Sequence, residues 1–552
     1  MRRRFLKIAK YSSAGFAVLT VVFFVYLYFS VMLHEPAPDN RSIEKESPVL
    51  INGSLYSFGK SRIRKSENGL WEMYIEGDPY ERGVAAGKLS SALVGLQEKY
   101  FIDQIKVMIP SDTYLNILKV FVAWFNRDLD KYIKQEYLSE IYGISRSAPD
   151  AYDYIGPKYQ RMLNYHGAHD IGHALVNMHL VGCTSFSVKG SYTSDGKMLI
   201  GRNFDFNMGD DFAKDKIVAF YAPSSGYKYM MVTWGGMTGV VSGMNEAGLT
   251  VTINAAENDI PKSVATPIAL IAREILQYSQ NIDEAYSIAS KRKSFVAESI
   301  MIGSAKDKKT IIIEKKPDKT DIYDTGNDLI ISTNHFLKNK APIQEESSVY
   351  RFDRVNEMIS GKKGMKVDDV ADILRDMNGK NGADIGKGNE KTINQLLAHH
   401  SIIFKPEDLI VWVSTSPYQF GKYAAYDLKK VFSKFAKLQK DKEINEFDKQ
   451  IGESRVLITK QFSDAMEYKR LTGVIKSAIS NRNVFADAEI DLYVKTNQQM
   501  YLVYQLVGDY YYSRNDFVNA KKYYSTAMTK EIARLSERKK IEESILKCDE
   551  KK

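Results

Sequence analysis

The chain has 552 residues, enough for about two or three domains. A hydrophobic content of 44% and an aromatic content of 12% exclude a disordered chain. The net charge of +9 gathers in two basic runs: Arg2, Arg3, Arg4, Lys7 and Lys10, then Lys429, Lys430, Lys434, Lys437, Lys440 and Lys442. The first flanks an apolar stretch and the second reads as a solvated helix face, so no nucleic-acid partner is expected.

Tyr11 to Leu33 contains no charged residue. At about 1.5 Å per residue such a helix can cross a bilayer of roughly 30 Å. The run is too long for a secretory signal, and Ser30-Val31-Met32 is a poor cleavage site, although a cleaved signal is the alternative. Residues 1–33 are therefore expected to be a cytoplasmic basic end and a transmembrane anchor. That predicts a single-pass membrane protein with its catalytic domain exported. The two cysteines, Cys183 and Cys548, offer no disulfide framework.

Residues 34–65 are polar, carry Pro36, Pro38 and Pro48, and read as a linker. Residues 66–182 look mostly helical. Asp78-Pro79 is a helix start with Glu81 in the first turn, and Gly83 and Gly87 share one face, as close helix packing requires. At Cys183 the period changes to two. CTSFSVKG and KMLIGRNFDF flank an Asp195-Gly196 turn. KIVAFYA and YKYMMVTW follow, then a pair turning at Asn245-Glu246-Ala247-Gly248. Helical segments near 265–291 precede ESIMIGSA, KTIIIEKK, TDIYDT and DLIISTN, which read as further strands. This order predicts an α+β fold with two sheets packed between helix layers. Residues 183–427 form the expected core and 428–552 a helical tail. Within the tail, Tyr504, Val507, Gly508, Tyr511, Ala520, Tyr524 and Ala527 match tetratricopeptide spacing near 501–534, although a plain helical pair fits them too.

Cys183 is the centre of the chemical signal. It follows the small Gly182 and begins a strand, and an Arg and an Asp return in GRNFD. With a two-residue turn, opposed residues sum to 391, and Arg202 shares a face with Cys183. Asp205 falls on the other face, so only a bulge or a strand end brings it to the thiol.

From about Gly77 to Asp427 the chain resembles the acyl-coenzyme A:6-aminopenicillanate acyltransferase family. That family belongs to the N-terminal-nucleophile hydrolases and is similar to the choloylglycine hydrolases. GDPYERGVAAGKL resembles its helical opening, GCTSF its processing site, and GRNFDF its following strand. NEAGLTVTIN, STNHF and SSVYRFDRV resemble its later motifs, in the family's order. NEAGLTVTIN is one residue shorter before its Asn than the bile salt hydrolase pattern. The resemblance implies a four-layer αββα sandwich and autoproteolysis between Gly182 and Cys183. The freed α-amine would then serve as base for the Cys183 thiol. It further implies Asn254 as oxyanion donor, Asn334 and Asp205 as positioners of the α-amine or substrate, and Arg202 and Arg351 as flanking contacts. Arg354 is the rival for the role of Arg351.

His335, His399 and His400 lack acidic partners at ligand spacing, so no metal is expected. No phosphate-binding glycine motif is present, so no nucleotide or other cofactor is expected either. Asn40-Arg41-Ser42 and Asn52-Gly53-Ser54 are glycosylation sequons in a eukaryotic setting. The resulting expectation is a membrane-anchored, self-processing cysteine amidohydrolase acting on a linear, non-peptide amide. Its substrate is a small-molecule or lipid-like amide, its membrane contact is the N-terminal helix, and its tail is a candidate surface for a protein partner. An acyltransferase using an amine acceptor is the second reading. A non-catalytic scaffold is the third.

Overall fold

The computed structural model describes residues 15, 18–22, 25–27, 29–167, 170, 182–256, 263–339, 346–434 and 443–551. Two sheets face each other. The larger has eleven strands in the order β1-β2-β3-β4-β7-β8-β9-β10-β11-β12-β13. These are β1 Val49–Asn52, β2 Leu55–Phe58, β3 Ser61–Lys65, β4 Trp71–Gly77, β7 Ile217–Pro223, β8 Tyr229–Thr233, β9 Ser242–Asn245, β10 Leu249–Ala255, β11 Glu298–Ser304, β12 Lys309–Lys315 and β13 Thr320–Tyr323. The smaller has six strands in the order β14-β5-β6-β15-β16-β17. They are β14 Leu329–Ser332, β5 Thr184–Gly190, β6 Gly196–Asp205, β15 Ala398–Lys405, β16 Ile410–Ser414 and β17 Tyr423–Asp427. The pairing of β4 with β7 is parallel, and the other neighbours are antiparallel.

The sheets meet over a shared apolar layer. Met198, Ile200 and Phe404 come from the small sheet, and Val218, Phe220 and Met301 from the large one. Alternation puts these residues inward because successive strand side chains point to opposite faces. Among the described residues, the helices from Pro79 to His166 are α1 Pro79–Leu89, α2 Ser91–Met108, α3 Asp112–Phe125, α4 Gln135–Ser145 and α5 Lys158–His166. Together with α6 Ile268–Tyr278 and α7 Ile282–Lys291, most of them cover the outer face of the large sheet through Val84, Leu93, Ile141, Leu163 and Ile271. The outer face of the small sheet packs on α8 Glu346–Ile359 and α9 Val367–Leu374. The expected helix–sheet–sheet–helix order is present.

Gly83 explains the tight crossing of α1 on α4. A Cβ added there would lie 2.0 Å from the carbonyl oxygen of Glu140. The same crossing buries an ion cluster. Glu140 meets Arg82 at 2.8 Å and Arg273 of α6 at 3.2 Å, with all three side chains nearly inaccessible.

Two features depart from the sequence reading. The segment read as a linker over 34–65 carries β1, β2 and β3, which extend the large sheet from β4. Its prolines lie before Val49, outside the strands, so they block no ladder hydrogen bond. The second departure is a correction. Among the described residues no helix is long and apolar enough to cross a membrane. Part of the run from Tyr11 to Leu33 lies outside the described residues. Its far end is engaged in protein packing: Leu33 is buried in the main core, and the Val31 carbonyl accepts from Gln160 Nε2 at 2.7 Å. The transmembrane helix and the single-pass localisation read from the sequence are thereby overturned.

After the short α10 Leu428–Lys434, the tail forms α11 Lys460–Asn481, α12 Asp487–Thr496, α13 Tyr501–Ser513, α14 Phe517–Ala527 and α15 Leu535–Glu550. It has its own core around Leu471, Tyr493, Val507 and Tyr524, and the Tyr524 ring packs against Gly508. The tail also docks on the loop before β15. The Asn497 side chain brackets the backbone of Lys387, accepting from its N–H at 3.0 Å and donating to its carbonyl at 2.9 Å. Asn389 Nδ2 donates to the Glu531 carbonyl, and Lys391 pairs with the Glu531 carboxylate at 2.6 Å.

Candidate active site

The hairpin of β5 and β6 builds the site. Ser185 opposes Arg202 and Thr184 opposes Asn203. The connection is longer than the two-residue turn read from the sequence. Residues 191–195 join the strands, a register shift falls between Val188 and Gly190, and Thr193 bridges Met365. The parity of the pairing is unchanged, so Arg202 still lies on the face of Cys183.

Cys183 is fully buried. Arg202 Nη2 donates to its Sγ at 3.5 Å. The same guanidinium donates to Ser242 Oγ and to the Ile253 carbonyl, and it stacks 4.6 Å from the Phe204 ring centroid. Asp205 ends its strand, and its carbonyl accepts from Gly182 N–H at 2.9 Å. A bulge in β15 between Ala398 and His400 sits opposite it. A strand end thus brings Asp205 to the Gly182-Cys183 junction, as the spacing required.

Arg351, on α8, closes the other side. It donates to the Cys183 carbonyl, to Thr184 Oγ1 at 3.1 Å, to Asn334 Oδ1 at 2.8 Å and to the Glu390 carbonyl at 3.1 Å. Asn334 in turn donates to the Ala255 carbonyl at 2.9 Å. Arg354 faces elsewhere, pairing with Asp376 at 2.9 Å and Glu357 at 2.7 Å. Asn254 lies between the sheets. It donates to the Ser332 carbonyl at 3.1 Å and accepts from Ser185 Oγ at 3.1 Å. The fold therefore collects Cys183, Arg202, Asp205, Asn334 and Arg351 directly, with Asn254 one residue removed through Ser185.

Sequence reasoning missed three participants. Gln395 Nε2 donates to the Gly182 carbonyl at 3.2 Å and to Asp205 Oδ2 at 3.4 Å. Ser242 joins Arg202 to His400, whose Nε2 lies 2.8 Å from Ser242 Oγ. The two histidine rings meet Nδ1 to Nδ1 at 2.8 Å, and burial first, with nearby cationic groups, holds both below the ordinary range. Gln395, His399 and His400 lie in one segment, NQLLAHH, whose amide and imidazole density was the available signal, while Ser242 lies apart at the start of β9. Among the described residues no cluster of three His, Cys, Asp or Glu could hold a metal ion.

Burial also sets the protonation of the centre. It pushes the Cys183 thiol up to about 11, against the pull of Arg202, and the Asp205 carboxyl up to about 8, against Arg351 and Arg202. An acid whose native value exceeds its unfolded one binds its proton more tightly when folded. Its stabilisation is full below about pH 4 and is lost as pH rises through about 8. In an uncut Cys183→Ala chain, stability should therefore fall between pH 5 and pH 8. Adding Asp205→Asn should remove roughly 2–4 kcal/mol of that fall. Denaturant titrations at both pH values check this, and equal losses in the two chains would contradict it.

Arg351→Lys should lower activity by roughly 100-fold, because a single ammonium cannot reproduce a fork that reaches four acceptors. Arg354→Ala should stay within about threefold of wild type in activity while lowering stability by about 1 kcal/mol. Steady-state rates on the same substrate compare the two, and equal losses would place Arg351 outside the chemistry.

Comparison with known proteins adds a family. Residues 192–416 match the model of acyl-coenzyme A:6-aminopenicillanic acid acyl-transferase, a span that begins just after Cys183. The chain is 28% identical over 271 residues to an uncharacterised protein of Archaeoglobus fulgidus, covering 46% of this chain and 44% of that one. It is 21% identical over 225 residues to an N-acylethanolamine-hydrolyzing acid amidase of Caenorhabditis elegans, covering 39% and 59%. The matched region thus spans about half the length of these relatives. A mutant conjugated bile acid hydrolase from Clostridium perfringens shares 14% identity at a TM-score of 0.32, over 48% of this chain and 95% of that one. The resemblance read from the motifs between Gly77 and Asp427 therefore stands over residues 192–416, where the chain matches the acyl-transferase family.

Proposed function

We propose that the chain is a self-processing cysteine amide hydrolase whose nucleophile is Cys183. The observation that carries this reading is the pair of guanidinium groups on one residue: Arg202 on the Cys183 thiol and Arg351 on its carbonyl. Arg202 reaches the thiol itself and Arg351 the backbone carbonyl, so guanidinium groups fix both ends of Cys183 beside the bond that is to be cut.

In the uncut chain the thiol is protonated and Cys183 N is an amide. Cleavage of the Gly182-Cys183 bond converts that nitrogen into an α-amine with a reference pKa of about 7.7–8.0. Such an amine can take the thiol proton near neutral pH. Its ammonium form also supplies the cation that the buried Asp205 carboxyl lacks. The thiolate then attacks the substrate carbonyl, and the carbonyl electron pair moves to oxygen. Oriented amide donors, for which Asn254 and Asn334 are the candidates, hold that oxyanion at roughly 3–4 kcal/mol each. Collapse expels the amine, which takes the proton. Water then splits the thioester and regenerates the thiol.

We take the substrate class from a cavity whose lining reaches the segment after Asp205, although none of Cys183, Arg202, Asp205, Asn254, Asn334 or Arg351 lines it. A largely apolar cavity of about 1060 Å³ runs among α2, α3 and α5, lined by Phe101, Ile105, Leu115 and Val122, and reaches Phe206 and Met208 just past Asp205. That lining suits a long acyl chain. We therefore assign a linear amide with an apolar acyl group. A panel of N-acyl amides of increasing chain length tests this. Turnover should rise with chain length and fall sharply for acetyl amides. A preference for short, charged acyl groups would contradict it. Adding a primary amine separates hydrolysis from transfer: product partitioning that never shifts with amine excludes a transferase.

A further inference from the structure

We infer that Gln395 is the oxyanion donor for self-cleavage of the Gly182-Cys183 bond. This rests on the self-processing reading above and assigns its first step. The bond that must break has its carbonyl at Gly182, and Gln395 Nε2 donates to that oxygen at 3.2 Å. The amide is buried and also bonded to Asp205 Oδ2, so it is held in place before reaction.

The chain order explains why this donor was invisible in the sequence, since 213 residues separate the two partners. It also explains why the residue before Cys183 is glycine. A Cβ on Gly182 would lie 2.7 Å from Gln395 Nε2 and would push the amide off the carbonyl.

The loop that carries Gln395 is fixed at several points. Asn394 N–H donates to the Asp376 carbonyl at 2.8 Å, and Leu396 N–H to Asn394 Oδ1 at 3.0 Å. Leu396 holds φ at 54°, in the left-handed region, a conformation that costs about 1–3 kcal/mol and persists only where the surroundings impose it. The tail supplies part of that constraint. Lys469 Nζ donates to the Leu396 carbonyl at 2.9 Å, while Glu531 takes Asn389 and Lys391.

The step balances as an N-to-S acyl shift. Cys183 Sγ bonds to the Gly182 carbonyl carbon, and the π pair moves to the oxygen facing Gln395. Collapse breaks the carbon–nitrogen bond. The thiol proton ends on the Cys183 nitrogen. Water then cleaves the thioester, giving a Gly182 carboxylate and a free Cys183 thiol.

The test is the rate of chain splitting after synthesis of the full-length protein, followed by intact mass. Gln395→Met keeps the shape without a donor, and Gln395→Glu puts an acceptor where the donor stood. Both should slow splitting by roughly 100- to 1000-fold, the usual loss for one such donor. Soluble protein with a wild-type melting curve separates this from misfolding. Gly182→Ala, which leaves the loop's own residues untouched, should slow splitting in the same direction. Variants of Gln395 that split within threefold of the wild-type rate would overturn the assignment while leaving self-processing intact. A wild-type chain that never splits would overturn both.

Discussion

Replacing Cys183 with alanine leaves one uncut polypeptide and lowers amide turnover by roughly a million-fold, as loss of a catalytic nucleophile does. Two independent readouts fail together because one sulfur does both jobs. In the proposed mechanism it attacks first its own preceding carbonyl and then the substrate. The two neighbouring hydroxyls are engaged elsewhere: Thr184 Oγ1 is held by Arg351, and Ser185 Oγ by Asn254. Cys183→Ser should split slowly or not at all, since a hydroxyl surrenders its proton far less readily than a thiol. The structural effect of the alanine is small, because Arg202 keeps Ser242 and the Ile253 carbonyl. Intact mass and a rate assay on the same sample check both expectations. An alanine variant still split after Gly182 would remove the thiol from the cleavage mechanism.

The largest effect on stability belongs to Glu140. Glu140→Ala should cost about 3–5 kcal/mol, the range for deleting one partner of a buried pair. Burial alone would raise this carboxyl, yet Arg273 and Arg82 hold it below its ordinary range. Removing it strands two buried guanidinium groups. Arg82 retains the Gly77 carbonyl at 2.9 Å, and Arg273 retains the Thr238 carbonyl at 2.9 Å and the face of Tyr229 at 4.7 Å. Those contacts satisfy hydrogens without neutralising charge. The cluster ties α1, α4 and α6 together behind the large sheet, so its loss should loosen the whole layer. Glu140→Gln should lose less, because it keeps an acceptor. Denaturant unfolding of the uncut alanine-183 background gives the number, and a loss under about 1 kcal/mol would mean that the cluster contributes little.

The parts of this fold that were legible are those in which local pattern decides. From Cys183 to Asn334, short apolar runs and the turn residues between them, such as Asn245–Gly248, place every strand from β5 to β14, and most of these strands are buried on both faces. Gly83 announced a close helix crossing, and Glu140 supplies the partner. The failures came where local pattern is silent or misleading. Polar residues and prolines made 34–65 look unstructured, although the edge strands there tolerate polar side chains. The apolar run before Leu33 read as a membrane span on length and composition, although its far end at Val31 and Leu33 is engaged by protein while Val18, Leu19, Val22 and Phe29 stay exposed. The Asp195-Gly196 pair suggested a tight turn, but the pairing of Thr193 with Met365 lengthened the loop. At the site, residues near Cys183 in sequence or carried by a motif were found. Gln395 and Ser242 were not, because their roles depend on contacts between residues far apart in the chain: Gln395 on Gly182 and Asp205, and Ser242 on Arg202 of the facing sheet.

The most direct measurement is the intact mass of the purified wild-type protein under denaturing conditions. Two chains, one of them beginning at Cys183, are the predicted result. A single unbroken chain after long incubation would contradict the account, leaving Cys183 a buried thiol beside Arg202 with no free α-amine to act as its base.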